Sequence, residues 1–153
     1  MRLKQSITIC ADAAVVWPLI ADPVRQADWN DKIVSIDRDR SGPACLGESY
    51  EMIYELAGRQ RLSRVRVTVC EPPHRVSFLH STNENSVERS AEEVYEIRPT
   101  RDGVQVVQSN IARMHIPWLL RPLIWFVHRF GWRVGPQPLE RLKQLAEETA
   151  HRR

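Results

Sequence analysis

Long apolar runs are missing from this sequence. The most apolar stretch, residues 116–132, is interrupted by Arg121, His128 and Arg129, whereas a membrane-spanning helix needs roughly 18 or more consecutive apolar residues. The first ten residues alternate between polar and apolar and lack the continuous apolar core of a secretory signal peptide. We therefore expect a cytoplasmic protein with no transmembrane segment.

Cysteine is scarce, with three residues at positions 10, 45 and 70. Their wide spacing contains no Cys-x-x-Cys pair, which argues against a disulfide framework and against a zinc site. His115 and His128 also lack the neighbours that a metal site requires, so the sequence predicts no metal and no cofactor. A chain of this length buries about 70% of the surface that its unfolded form exposes. We expect residues 1–153 to form one domain that needs no crosslinks.

Charge of one sign is not concentrated in any part of the chain. The 22 Lys and Arg residues against 19 Asp and Glu residues give a net charge of +3, and no basic run resembles a nucleic-acid-binding arm. Arg61, Arg64 and Arg66 lie close together, but no aromatic stacking platform accompanies them. We interpret them as the exposed face of a strand and expect no nucleic-acid partner.

What the sequence does contain is repeated alternation of apolar and polar residues, the period of a half-buried strand. Short turn signals join nearly all of these stretches, which favours an antiparallel sheet. The seven predicted strands are residues 2–10, 33–40, 48–56, 62–70, 75–80, 87–97 and 104–112.

Helical signals occur in two places. Asp12 and Asp22 are suitable N-caps for two short helices between the first and second strands. From residue 117 to 148 the apolar residues recur with a helical period. Because prolines and a glycine stand at residues 135–138, we expect this long helix to kink or break there.

This order of elements, with four local features, resembles the helix-grip fold of the START-like (SRPBCC) superfamily, which includes polyketide cyclases, lipid-transfer domains and coenzyme Q-binding proteins. The features are AAVVWPLIADP, the Trp29 in DPVRQADWN, the YEIRPTRDGVQVV hairpin and the final LERLKQLAEE helix. The resemblance implies an α+β fold, in which a curved seven-stranded antiparallel sheet grips a long C-terminal helix and two short helices follow the first strand. It also implies a hydrophobic cavity between the sheet and the long helix.

Alternation indicates which side chains line that cavity. If Val65, Val67 and Val69 face inward, the last strand begins with apolar inward residues and ends with two amides, Gln108 and Asn110. Burying an unsatisfied amide costs about 1–3 kcal/mol, so these side chains pair, meet water or contact a ligand; a strand bulge would instead make them surface residues. The predicted ligand-binding residues are Tyr50, Met52, Tyr54, Val67, Phe78, His80, Gln108, Asn110, Trp118 and Trp125.

Trp118, Trp125 and Trp132 recur every seven residues, which brings them to nearly one face of a helix. Three interpretations fit this spacing. The indoles pack against the sheet, they line the cavity entrance, or they dock on an anionic membrane together with the interleaved basic residues.

Three functions are compatible with this fold. Binding or carriage of a small hydrophobic ligand, such as a lipid, a polyketide or another aromatic or isoprenoid molecule, requires only the cavity. An enzyme resembling polyketide aromatase/cyclases requires an acid or base, for which His80 is the one candidate. It is disfavoured because Arg64 and Arg66 are predicted to face outward, although a one-residue shift in register would bring them inward. A membrane-associated quinone or lipid chaperone depends on the tryptophan-rich helix alone.

Overall fold

The computed structural model describes residues 2–56, 58–84, 87–113, 122 and 138–152. The alternating stretches form strands, and their bounds are β1 (Arg2–Ile9), β2 (Ile33–Asp37), β3 (Ser49–Leu56), β4 (Arg59–Glu71), β5 (Arg75–Glu84), β6 (Val87–Thr100) and β7 (Gly103–Arg113). The helices are α1 (Ala13–Ala21), α2 (Pro23–Gln26) and α3 (Pro138–His151).

The strands form one antiparallel sheet in the order β1-β7-β6-β5-β4-β3-β2. Each strand from β2 to β6 pairs with the next one along the chain, and these pairs are antiparallel, as short connections require. The first strand closes the order by pairing with the last. The predicted seven-stranded antiparallel sheet, with two short helices after its first strand, is confirmed.

The two short helices cover one end of the sheet. In α1 apolar residues point in nearly every direction, and six of its nine residues are buried. Asp22 caps α2, where its side chain accepts a hydrogen bond from the backbone N–H of Val24 at 3.0 Å. Trp29 follows α2, is 1% exposed, and donates its indole N–H to the carbonyl of Leu19 at 2.8 Å. This bond fixes the chain between α2 and β2 against α1.

The C-terminal helix α3 contacts β1 and α1. It buries Leu139, Leu142 and Ala146, which recur at helical spacing. The helix corresponds to the end of the one predicted over residues 117–148; apart from Pro122, residues 117–137 lie outside the described part of the chain. No helix in the described ranges is both long and apolar enough to cross a membrane.

One face of the sheet, called here the inner face, packs with α1 and α3 into the hydrophobic core. At its centre Tyr95 makes edge-to-face contacts with Trp29, at a ring-centroid distance of 6.2 Å, and with Phe78, at 6.4 Å. Val76 and Ile97 flank these rings and are 0% and 3% exposed. This half of the inner face is filled by side chains.

A β-bulge in β4 corrects one expectation for the inner face. The register shifts between Val67 and Val69, so that Val69 pairs with Ser77 and Cys70 pairs with Val76. The extra residue reverses the alternation. Val67 faces the core, as the alternation predicts. Val69 is half-buried outside the core, and Cys70 packs against the core where Val69 was expected. The prediction that Val69 faces inward is wrong for this reason.

A cluster of buried charges ties the loop after β2 to the short helices. The side chain of Arg38 is 2% exposed and donates to Glu48 Oε1 at 2.5 Å. A second guanidinium nitrogen lies 3.4 Å from Asp22 Oδ1 and donates to the carbonyl of Gly42 at 2.6 Å. Asp22 in turn accepts the backbone N–H of Gly42 at 3.2 Å. We call Asp22, Arg38 and Glu48 the Arg38 cluster.

Candidate functional site

Three polar side chains surround Glu93 of β6 on the inner face. The hydroxyl of Tyr95 donates to Glu93 Oε1 at 2.8 Å, and Gln108 Nε2 donates to the same oxygen at 2.5 Å. Gln108 Nε2 also lies 3.1 Å from the Tyr95 hydroxyl oxygen. His80 Nε2 lies 3.5 Å from the other carboxylate oxygen, Oε2. We call His80, Glu93, Tyr95 and Gln108 the Glu93 cluster.

Strand register explains why these residues meet. Opposite residues of an antiparallel pair project to the same face of the sheet. Tyr95 pairs with Gln108 and Glu93 pairs with Asn110 across the β6–β7 ladder. On the other side of β6, His80 pairs with Ala91, two residues from Glu93. The register therefore brings three predicted site residues, His80, Gln108 and Asn110, close to Glu93. Glu93 itself was not among the predicted site residues.

The electrostatics of the cluster favour an ionised Glu93 and a neutral Tyr95. Burial is the largest single influence on the pKa of Glu93 and raises it, but the contact with His80 and the hydrogen bonds from Tyr95 and Gln108 outweigh burial and hold the pKa below its usual range. Burial, followed by the charge of Glu93, raises the pKa of Tyr95 well above its usual value. Tyr95 therefore keeps its proton at neutral pH and donates a hydrogen bond to the carboxylate.

The Glu93 cluster lies where the filled half of the inner face gives way to an accessible half. Phe78 and Val65 are 0% exposed. By contrast, the side chains of His80 and Glu93 are 23% and 16% exposed, and Ala91 and Asn110 are also partly exposed. The arrangement presents hydrogen-bonding groups beside an apolar wall, which is the usual chemistry of a small-molecule site.

The remaining predicted residues lie on β3 and β4 or outside the described ranges. Tyr50 and Met52 are buried on β3, opposite Val65 and Ser63, whereas Tyr54 is half-buried opposite Arg61. Val67 is buried opposite Phe78. Burial, and next the charge of Glu93, raise the pKa of Tyr50. Trp118 and Trp125 lie outside the described residues, and the predictions that rest on them, including membrane contact, stay predictions.

The sequence also matches a known family over nearly its whole length. The family model described as "Polyketide cyclase / dehydrase and lipid transport" matches residues 1–147. The chain belongs to this family. Membership confirms the resemblance to polyketide cyclases and lipid-transfer proteins, and the family's two activities correspond to a ligand-binding or a cyclase role without choosing between them. Among curated proteins, none matches the sequence.

Solved structures share the fold of this polyketide cyclase/dehydrase family member. A protein from Chromobacterium violaceum superimposes with a TM-score of 0.68 at 18% identity, over 95% of this chain and 96% of that one. A conserved protein from Geobacillus kaustophilus gives 0.67 at 13% identity, over 99% and 96%. DynU16, described as a protein in the dynemicin biosynthetic locus, gives 0.60 at 16% identity, over 97% of this chain and 48% of DynU16. At such identities the likeness shows the fold, and it confirms the helix-grip class.

Arg61 requires a correction to the prediction that three arginines share an outer strand face. It pairs with Tyr54 and is only partly exposed, in phase with the buried Ser63 and Val65. Arg61 therefore lies on the inner face of this polyketide cyclase/dehydrase fold. Arg64, in contrast, has a side chain that is 73% exposed, and Arg66 is exposed as well. The signal was present in the sequence, because Arg61 stands an even number of residues before Val65.

Glu93 is the residue that sequence reasoning missed in this family member. It stands two residues before Tyr95 and four before Ile97, so the alternation of β6 assigns it to the inner face. Because Glu92 and Glu96 are also acidic, the alternation of apolar and polar residues does not distinguish Glu93 from them. Glu92 lies on the outer face, where it accepts hydrogen bonds from Ser77 at 2.7 Å and Thr68 at 3.1 Å.

The described histidine, cysteine, aspartate and glutamate side chains do not form a metal centre. No group of three such side chains in the described part of the chain is close enough to hold a metal ion. What the site can supply is hydrogen bonding, with a carboxylate, an imidazole and two further polar groups beside an apolar wall. The imidazole and the carboxylate also make proton transfer chemically feasible.

Proposed function

We propose that this protein binds or carries a small, mainly hydrophobic molecule against the inner face of the sheet. The apolar part of the ligand lies over Ala91, which is small and partly exposed, and a polar group of the ligand reaches the Glu93 cluster. The observation that carries the proposal is a polar cluster that is partly exposed at His80 and Glu93 and lies directly beside fully buried apolar side chains. The family description, which includes lipid transport, supports the same function.

Packing alone gives no reason for such a cluster. A carboxylate taken out of water loses hydration, and its protein contacts must compensate for that loss. Apolar residues at these positions would join the core at lower cost, as Val65 and Phe78 do. A cluster that stays partly exposed on the inner face is better explained by a ligand that contacts it.

The experiment measures binding of the fluorescent probe anilinonaphthalene sulfonate and compares two substitutions that each introduce a phenylalanine. Ala91→Phe fills the accessible half of the inner face beside His80, and we expect it to weaken probe binding by about tenfold or more, the loss that corresponds to about 1.4 kcal/mol. Arg66→Phe is the matched control, because it adds the same ring to the exposed face of β4.

Circular dichroism and thermal unfolding are the controls that test whether both variants are folded. Equal probe affinity in the wild-type protein and in Ala91→Phe would contradict a binding site on the inner face. Native mass spectrometry of gently purified protein adds an independent measurement, since a carrier retains a bound small molecule and Ala91→Phe should lose it.

A second candidate function, cyclase-like proton transfer, is favoured by one observation. His80 is no longer an isolated candidate base, because Glu93 lies 3.5 Å from its Nε2, and acid–base catalysis requires more than one positioned group. Aldol cyclisation begins with removal of a proton from a carbon beside a carbonyl group.

A suitable probe of this step is acetophenone in deuterated water, whose methyl protons exchange slowly. A cyclase-like site should accelerate their exchange by about 100-fold or more, the usual contribution of a positioned acid or base. The acceleration should vanish in His80→Phe and persist in Arg66→Ala. Exchange at the buffer rate in the wild-type protein argues against this candidate and leaves the binding function intact.

A further inference from the structure

The contact between His80 and Glu93 determines which ring nitrogen of His80 carries hydrogen. Nε2 of His80 lies 3.5 Å from Oε2 of Glu93. An ionised carboxylate has only acceptor sites, so a lone pair on Nε2 would face the lone pairs of the carboxylate oxygen. Hydrogen on Nε2 removes this repulsion, and the neutral ring then carries its free lone pair on Nδ1.

Glu93 is held in the position that imposes this tautomer. Its Oε1 accepts from both Tyr95 and Gln108, which leaves Oε2 directed at the imidazole. Tyr95 is 1% exposed and packs between Trp29 and Phe78, so its hydroxyl has little freedom to move. The contacts with His80, Tyr95 and Gln108 keep Glu93 ionised, since they hold its pKa below the usual range despite burial.

Nδ1 of His80 is the ring nitrogen that points away from Glu93. In the described ranges, no residue makes a hydrogen bond with Nδ1, and the side chain is 23% exposed. The inner-face neighbours of His80 on the adjacent strands are Val65 and Ala91, neither of which has a polar side-chain atom. Ala91 is also small and partly exposed.

We propose that the site recognises a ligand with a hydroxyl group, either a phenol or an alcohol, by accepting its hydrogen bond at Nδ1 of His80. Glu93 is a positioning residue, because it acts by keeping hydrogen on Nε2. The proposal rests on the proposed binding function, since it names the chemical class of the molecule bound on the inner face. A carbonyl or ether oxygen at the same place would face the Nδ1 lone pair and gain nothing.

The experiment compares two probes, β-naphthol and its methyl ether, in which a methyl group replaces the hydroxyl hydrogen. Binding is measured by calorimetry at about pH 8, where imidazole side chains are ordinarily neutral and a naphthol mostly keeps its proton. For the wild-type protein we expect β-naphthol to bind about tenfold more tightly than the ether, the ratio that one satisfied hydrogen bond supplies.

Four variants test whether His80 causes the preference for β-naphthol over its methyl ether. His80→Phe keeps a ring but has no acceptor, so the two probes should bind equally. His80→Gln has a carboxamide oxygen that accepts a hydrogen bond, and it should restore part of the preference. Glu93→Gln can donate to Nε2 and so shift hydrogen to Nδ1, which should reduce the preference to about twofold. Arg64→Met changes a side chain on the outer face of β4 and should leave the preference unchanged.

The outcomes separate this proposal from the function on which it rests. Equal binding of the two probes by the wild-type protein overturns hydroxyl recognition but leaves the binding site. Failure of both naphthalene probes and of anilinonaphthalene sulfonate to bind overturns the proposed function itself. A tenfold preference that survives in His80→Phe also overturns the proposal, because another residue must then recognise the hydroxyl. If His80→Phe does not fold, an undiminished preference in the isosteric Glu93→Gln variant has the same meaning.

Discussion

The protein buries carboxylates in two clusters that differ in how the charge is balanced. In the Arg38 cluster a guanidinium contacts two carboxylates, and its remaining donors reach loop carbonyls, including that of Gly42 at 2.6 Å. In the Glu93 cluster one carboxylate receives hydrogen bonds from two neutral groups and faces a histidine at 3.5 Å. The first cluster contains a full opposite charge, whereas the second contains no permanent one.

The difference indicates different roles. Arg38 is 2% exposed and binds residues from the α1–α2 junction and from the loop that precedes β3, so its cluster holds two segments of chain together. His80 is 23% exposed and has one ring nitrogen without a protein partner in the described ranges. A cluster whose charges and donors are satisfied stabilises the fold, and one with an accessible polar atom can exchange that contact for a ligand.

The largest expected effect is the loss of the guanidinium in Arg38→Met. This variant leaves Asp22 and Glu48 buried together without the buried guanidinium, and the exposed Arg40, 3.9 Å from Glu48 Oε2, compensates weakly. We expect the free energy of unfolding to fall by about 3–5 kcal/mol. Urea denaturation followed by circular dichroism measures the change. The double variant Arg38→Met with Glu48→Gln should recover part of the loss, because it removes one unbalanced carboxylate. A loss below about 1 kcal/mol would show that the cluster is not essential to the fold.

The next largest effect is expected for Glu93→Gln, whose loss of stability should depend on pH. At neutral pH the variant loses hydrogen bonds to a charged group, and we expect it to be about 1–3 kcal/mol less stable than the wild-type protein. Because the folded-state pKa of Glu93 is lowered, its stabilising contribution is present above the ordinary pKa of glutamate and is lost as the pH falls through the folded-state value.

The stability difference between the wild-type protein and Glu93→Gln should therefore narrow below about pH 4.3, the ordinary glutamate value. Glu48 provides the comparison, since its hydrogen bond with Arg38 lowers its pKa in spite of burial, and Glu48→Gln should show the same narrowing. Only Glu93→Gln should also alter the preference for β-naphthol. A difference for Glu93→Gln that stays constant down to pH 3 would contradict a lowered pKa.

Local patterns were sufficient to predict the sheet, because alternation and turn residues act over a few positions. The strand from Leu62 to Cys70 illustrates both the success and its limit. Val65 and Val67 face the core as alternation predicts, but the bulge that follows them places Cys70 in the core instead of Val69. A bulge depends on pairing with a neighbouring strand, so the pattern within one strand does not reveal it.

The site was predicted less completely than the fold for a related reason. His80, Gln108 and Asn110 were identified singly, from their inward phase. Glu93 joins them only through the register of β6 against β5 and β7, which is a long-range property of the chain. The interpretation of Arg61 as an exposed residue was wrong for a different reason. The alternation of β4 assigns Arg61 to the inner face, but Arg61 was grouped with the exposed Arg64 and Arg66.

The smallest effect is expected for an exposed ion pair that has the same N–O distance as a buried pair in the Arg38 cluster. Arg64 lies 3.4 Å from Glu51 Oε1, the same separation as that between Arg38 and Asp22, but the side chains of Arg64 and Glu51 are 73% and 44% exposed. Solvent and salt screen such a pair, so Arg64→Met should change the free energy of unfolding by less than about 0.5 kcal/mol. Probe binding should also stay at the wild-type value, because Arg64 lies on the outer face. If Arg64→Met instead weakened binding of anilinonaphthalene sulfonate, the register that places Arg61 inward and Arg64 outward would be wrong.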